Sequence, residues 1–248
     1  MPTVRFNGYN LTKKFYLLDD LSRPLPEFRH VSSEIAGEDG LEFDSQTIGM
    51  RTCSFSLAAD AATQVEMQRL WRELADALLV RKPVKLTFSD EKDSHGTQLV
   101  RYAVPAGIPD LTEWIKAGKM TLTFEQDDPY LYGRERAVVL KKNTTKKVQV
   151  GGNAPAHPVF TADVNGSASS VALSLLTSAG AVKRVVSVAF SAGTARKVVL
   201  DELNLSATVT PSTGSTGITT GSRFFTIDST CYLKANAAGT LSWQERWI

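Results

Sequence analysis

Residues 51–88 read RTCSFSLAADAATQVEMQRLWRELADALLVRKPVKLTF, and three patterns lie end to end in them. Arg51, Cys53, Phe55 and Leu57 alternate with Thr52, Ser54 and Ser56, the period of a strand that buries one face. Met67, Leu70, Trp71, Leu74 and Leu78 then recur at three- and four-residue steps, an apolar stripe along a helix, with Glu66, Arg69, Glu73 and Asp76 largely off it. Asp60 stands as the N-cap, and the pattern stops before Pro83, which disfavours helix in the residue ahead of it. Val84, Leu86 and Phe88 alternate once more. A helix packed on a sheet accounts for the stripe. Val65, Leu79 and Val80 flank it and are candidates for contact with a neighbouring subunit.

The strands continue outward. Val100, Tyr102 and Val104 follow the polar loop Asp90–Gly96, and Met120, Leu122 and Phe124 alternate with Lys119, Thr121 and Glu125. The Ala117-Gly118 pair predicts a turn ahead of that last strand. Strands outnumber helices and connections are short, so the first half reads as α+β, an antiparallel sheet with one main helix. Beyond residue 150 no helix pattern survives. Val171–Leu175, Val186–Phe190, Leu203–Val209, Phe225–Ile227 and Leu241–Trp247 alternate between Gly, Ser and Asn clusters, which predicts a β-sandwich. The tract Pro211–Gly221 reads as an exposed loop.

Charge and composition change at one place. Residues 1–133 hold 15 Lys+Arg against 20 Asp+Glu, residues 134–150 six against one, and residues 151–248 seven against five. Of the last 98 residues, 25 are Ser or Thr. This predicts domains at 1–133 and 151–248 joined by connecting strands at 134–150. The lysine pairs Lys141-Lys142 and Lys146-Lys147 read as guards on a strand edge. A formal net charge of +2 argues against a nucleic-acid or membrane-surface protein. No apolar run reaches the length of a membrane span, and Met1–Tyr9 lacks the apolar core of a signal peptide.

The residues of catalysis are hard to assemble. His30, His95 and His157 stand in no metal-ligand spacing with each other or with Cys53 and Cys231, and no nucleophile elbow, phosphate loop or dinucleotide fingerprint occurs. Cys53 falls on an apolar strand face, where a buried thiol is expected. The pairs Asp19-Asp20, Glu38-Asp39, Asp90-Glu91 and Asp127-Asp128 read as turn formers, because neighbours on a strand point to opposite faces. The expectation is a non-enzyme without cofactor or obligate metal.

One set of motifs, taken in order, resembles a known family. It comprises Phe6-Asn7-Gly8-Tyr9, the glycine-bounded Gly37–Gly40, the Arg-led strand Arg51–Leu57, the helix with Leu70 and Trp71, and Phe124–Gly133 with its Asp-Pro-Tyr-x-Tyr core. Gly151–Pro158 and the closing Trp243–Ile248 complete it. The series resembles the distal tail proteins of siphovirus-type bacteriophages. That resemblance implies a structural virion protein, assembled in the bacterial cytoplasm and placed at the tail tip. The first domain would form a homohexameric ring joining the tail tube protein to the tail-tip hub, with receptor-binding proteins at the periphery and DNA only in transit. The second domain would be a galectin-like or carbohydrate-binding-module-like sandwich. An alternative role for that sandwich is binding host-surface glycans, with Tyr232, Trp243 and Trp247 as candidate contacts, although alternation puts Trp243 and Trp247 on one strand face, where burial in the core is the stronger expectation.

Overall fold

The computed structural model describes the chain except residues 19, 37–38, 114–116, 194 and 212–215; at 108–113 only the backbone is described. It divides into two compact units, Met1–Leu131 (with Ile248) and Tyr132–Trp247.

The first unit runs β1 (Val4–Phe6), β2 (Tyr9–Asn10), a short 3-10 turn (Leu11–Lys13), β3 (Tyr16–Leu17), β4 (Phe28–Ser33), β5 (Glu42–Ile48), β6 (Arg51–Asp60), α1 (Gln64–Leu78), β7 (Val84–Phe88), β8 (Arg101–Glu113) and β9 (Ala117–Gln126). Seven strands form one antiparallel sheet in the order β2-β1-β7-β8-β9-β6-β3, and β4 and β5 form a separate hairpin. Strands β7 and β6 stand three places apart in that sheet, which is about 14 Å in a flat one. Yet the Phe88 and Phe55 ring centroids are 5.9 Å apart, Phe55 and Phe124 stack at 5.6 Å, and Phe6 meets Phe124 at 4.9 Å. The sheet therefore curls round an aromatic core. In β8, Arg101–Ala103 pair with β7 and the residues from Val104 onward with β9, whose ladder is interrupted by a bulge between Ala106 and Asp110.

Helix α1 buries Met67, Leu70, Trp71 and Leu74, the stripe read from the sequence. Its N-cap is Thr63 rather than Asp60. The Thr63 hydroxyl accepts from the Glu66 N–H, the Glu66 carboxylate accepts from the Ala62 N–H, and Asp60 is still in β6, paired with Ala117. That pairing also corrects the expected Ala117-Gly118 turn, since both residues begin β9. Gly118 lies under the helix. A Cβ there would come within 2.7 Å of Trp71 Cζ2, so the missing side chain is what admits the indole.

The second unit contains β10 (Leu131–Leu140), β11 (Lys146–Gln149), β12 (Val159–Val164), β13 (Ser170–Leu176), β14 (Val182–Phe190), β15 (Arg196–Asp201), β16 (Ser206–Thr210), β17 (Thr216–Ile218), β18 (Thr230–Ala235) and β19 (Gly239–Trp247). Two five-stranded sheets, β10-β19-β12-β15-β16 and β11-β18-β13-β14-β17, enclose one core that includes Phe160, Leu241 and Trp243 from the first and Leu173, Val186 and Leu233 from the second. Strands β10 and β11 are both sheet edges, so the residues expected to connect domains are built into the sandwich, and the exposed lysines lie along its edge. The Gly151-Gly152 pair passes close to β19. A Cβ at 151 would overlap the Glu245 carboxylate at 2.0 Å, and one at 152 the Arg246 carbonyl at 2.1 Å. Glu245, 1% exposed, is paired with Arg136 Nε at 2.7 Å.

Two expected strands differ. The Leu203–Val209 strand begins only at Ser206. Asp201 accepts from the N–H groups of Leu203 and Asn204, Leu205 has φ +50, and the Leu203 and Leu205 side chains are exposed. Phe225 and Ile227 are buried but join no ladder; Ile227 makes an isolated bridge to Ala156. Within the expected Pro211–Gly221 loop, β17 pairs with β14, and 212–215 lie outside the described residues.

Candidate assembly surface

The hairpin β4–β5 leaves the curled sheet with every β4 side chain exposed and only Ile48 of β5 half-buried. Phe28 pairs with Ile48, His30 with Gln46, and the His30 ring lies edge-on to Phe43 at 6.0 Å, so Phe28, His30, Phe43 and Ile48 form a stripe on one face. Phe28 is 43% and Phe43 60% exposed. A two-stranded hairpin is marginal in water on its own, and among the described residues both its edges are unpaired, in addition to this face.

Its base, by contrast, is secured. The Gly49 N–H donates to the Glu27 carbonyl at 2.7 Å, and Ser22 and Ser54 exchange backbone hydrogen bonds at 2.8 and 3.0 Å. Arg23 makes two bonds to the Asp90 carboxylate, at 3.0 and 2.7 Å, and these hold Asp90 below the usual carboxylate range. Glu91 bonds Arg101, which is 1% exposed, and the Arg23 and Arg101 guanidinium groups lie 5.0 and 5.1 Å from the Phe88 ring centroid. The pair Asp90-Glu91 stands in a turn as expected, the Glu91 N–H donating to the Phe88 carbonyl at 2.9 Å, and it also fixes two arginines. Alternation could not reveal this, because the partners are 67 and 10 residues away. Burial beside Arg101 lowers the Arg51 pKa, and burial raises that of the Cys53 thiol. Asp20 accepts from the Ser56 N–H at 2.8 Å, and Asp128 accepts from the Tyr130 N–H at 3.2 Å, a turn bond as expected. Asp19, Gly37 and Glu38 lie outside the described residues.

The interface candidates on α1 do not form one patch. Val65 and Leu79 are 77% and 83% exposed, but 14 residues of helix separate them by about 21 Å. Val80 is half-buried and packs on its own core. Of the glycan candidates, Trp243 is corrected: it is 5% exposed within the sandwich core, so neither indole face can meet a sugar. Tyr232 and Trp247 are half-buried. His30 and His95 are exposed and His157 half-buried; Cys53 and Cys231 are buried free thiols. Among the described residues, no group of three or more His, Cys, Asp or Glu could hold a metal, and no helix is long and apolar enough to cross a membrane.

Known proteins share this architecture. Residues 6–126 match the family described as phage tail protein RIFT-related domain. The matched residues span the curled sheet from Phe6 onward, its helix and the hairpin. Over the whole chain the fold is similar to the Dit protein (gp 19.1) of phage SPP1, described as a paradigm of the hub adsorption apparatus in phages that infect Gram-positive bacteria. The TM-score is 0.82 at 19% identity, and all of both chains is covered. It is also similar to a chain of the phage p2 baseplate in its activated conformation with calcium, with a TM-score of 0.54 at 11% identity, covering 100% of this chain and 98% of that one. The strontium form gives 0.53 at 12%, covering 99% and 97%. No curated protein sequence matches the chain. The resemblance to siphovirus distal tail proteins drawn from the ordered motifs is borne out by the tail-protein domain and the full-length likeness to SPP1 Dit.

Proposed function

We propose that this protein is a non-enzymatic structural component of a long-tailed phage, placed at the tail tip as a hub between the tail tube and the adsorption apparatus. The observation that carries the reading is the hairpin β4–β5, an anchored arm with an apolar stripe and free edges, on a domain matched to phage tail proteins. The first unit assembles head-to-tail into a six-membered ring, with each hairpin laid on the next copy. The second unit is a galectin-like sandwich facing outward, where tail-tip and receptor-binding proteins dock. DNA passes through the lumen, and the acidic excess of residues 1–133 keeps phosphates from adhering.

Mass photometry and negative-stain microscopy of the full chain test this. A ring is expected from the wild type and is lost in the Phe28→Ser/Phe43→Ser double variant, while the monomer's melting temperature stays within about 2 °C because neither ring supports the core. A ring that persists in the double variant, or a wild-type chain that stays monomeric even at high concentration, refutes it.

A further inference from the structure

The acidic excess of residues 1–133, 20 acids against 15 bases, is concentrated in the hairpin. Residues 31–48 hold Glu34, Glu38, Asp39, Glu42 and Asp44 with no lysine or arginine, and the rest is balanced at 15 of each. Glu34, Asp39, Glu42 and Asp44 are exposed and make no ion pair among the described residues, and Ile35, Leu41 and Phe43 stand exposed between them. An arm with this much unpaired like charge repels itself and favours a cationic surface. The opposite pattern lies in the link from α1 to β7, where residues 77–89 hold Arg81, Lys82 and Lys85 and no acid. All three are exposed and none is ion-paired among the described residues, whereas Lys14 and Arg69 meet Glu73, Arg23 meets Asp90 and Arg29 meets Glu27. Arg5 extends the patch. It pairs with Thr87, two places along β7 from Lys85, and because Phe6, Leu86 and Phe88 are buried on the inner face, Arg5 and Lys85 share the outer one, about 7–8 Å apart as diagonal neighbours. Leu79, 83% exposed, ends the helix beside Arg81.

We propose that the patch formed by Arg5, Leu79, Arg81, Lys82 and Lys85 is the seat of the hairpin of a second copy, with the arm's carboxylates facing the four cations and its apolar residues covering Leu79. The proposal rests on the ring reading of the first unit and names the surface on which each arm is laid. Charge selects the occupant. Within one chain the arm and the patch leave each other unpaired, so a neighbour must supply the opposite sign to both. A nucleic acid on the patch would satisfy the cations and leave the arm's carboxylates without any. Arm and patch also lie at different places on the same domain, so every copy gives one arm and offers one seat, which is the head-to-tail relation a closed ring requires. Such a contact weakens with salt, because the screening length falls from about 10 Å at 0.1 M to about 3 Å at 1 M.

Sedimentation velocity on the full chain tests it with two charge-reversed variants, Glu34→Lys/Glu42→Lys and Arg81→Glu/Lys82→Glu, and with their equimolar mixture. The four positions are exposed and unpaired, so each monomer should melt within about 2 °C of wild type. Wild type is expected to self-associate, and less so in 1 M salt. Each variant alone should associate at least about tenfold more weakly, since its arm then meets a patch of its own sign. The mixture should recover assembly with the two variants alternating, because each arm again meets a patch of opposite sign. Wild-type association by either variant alone, or a mixture no stronger than its parts, would overturn the proposed seat and leave the ring reading standing. A wild type that stays monomeric at every concentration would overturn the ring reading and this proposal with it.

Discussion

Replacing Glu202 by Gln changes how stability depends on pH. Glu202 is buried in the second unit, and burial holds its carboxyl at about 7 against an ordinary 4.5. The folded state therefore binds this proton more tightly than the unfolded one. Its contribution is fully present below about pH 4.5, is lost as pH rises towards 7, and is level above that. A gap of two to three pKa units corresponds to about 3 kcal/mol. The glutamine cannot titrate, and its amide oxygen still accepts from Phe225. Relative to wild type, the variant should gain about 3 kcal/mol between pH 5 and pH 8. Asp201, His157 and Arg184 face the same region but are present in both proteins, and the lowered carboxylates Asp90, Asp93 and Asp201 titrate below this window. Urea unfolding at pH 5, 6, 7 and 8, followed by hydrogen exchange on peptides of the second unit, measures the difference. Two stability curves that stay parallel within about 0.5 kcal/mol, or a variant that loses ground as pH rises, would refute the argument.

Gly118→Val should destabilise the first unit by about 1–3 kcal/mol, because its Cβ meets the Trp71 ring; a lowered melting temperature with altered tryptophan fluorescence checks it. Arg136→Ala strands the buried Glu245 carboxylate and should cost about 2–3 kcal/mol, somewhat under a fully buried pair because Arg136 is a third exposed; unfolding that requires as much urea as wild type would count against it.

The sequence by itself determined what depends on neighbours along the chain. The strand–helix–strand order of residues 51–88 and the buried stripe of α1 follow from period alone, since a half-buried element must repeat its apolar residues at its own pitch. The all-β second half and the guarded edge of the sandwich were legible for the same reason, in alternation and paired lysines. Where local chemistry offered two answers, distant partners chose. Thr63 caps the helix because Asp60 is held in β6 by Ala117, and Leu203 leaves its expected strand because Asp201 takes up the local N–H groups. The curl of the sheet rests on Phe6, Phe55, Phe88 and Phe124, which meet across more than a hundred residues. Phe28 and Phe43, which no period in the sequence marked, became a surface because their hairpin stands outside the sheet. Trp243 and Glu202 show the converse. Alternation left the tryptophan between core and sugar with the core favoured, and packing placed it between two sheets; the carboxyl that no motif marked came to line a cavity because the Asp201 turn and Phe225 converge on it.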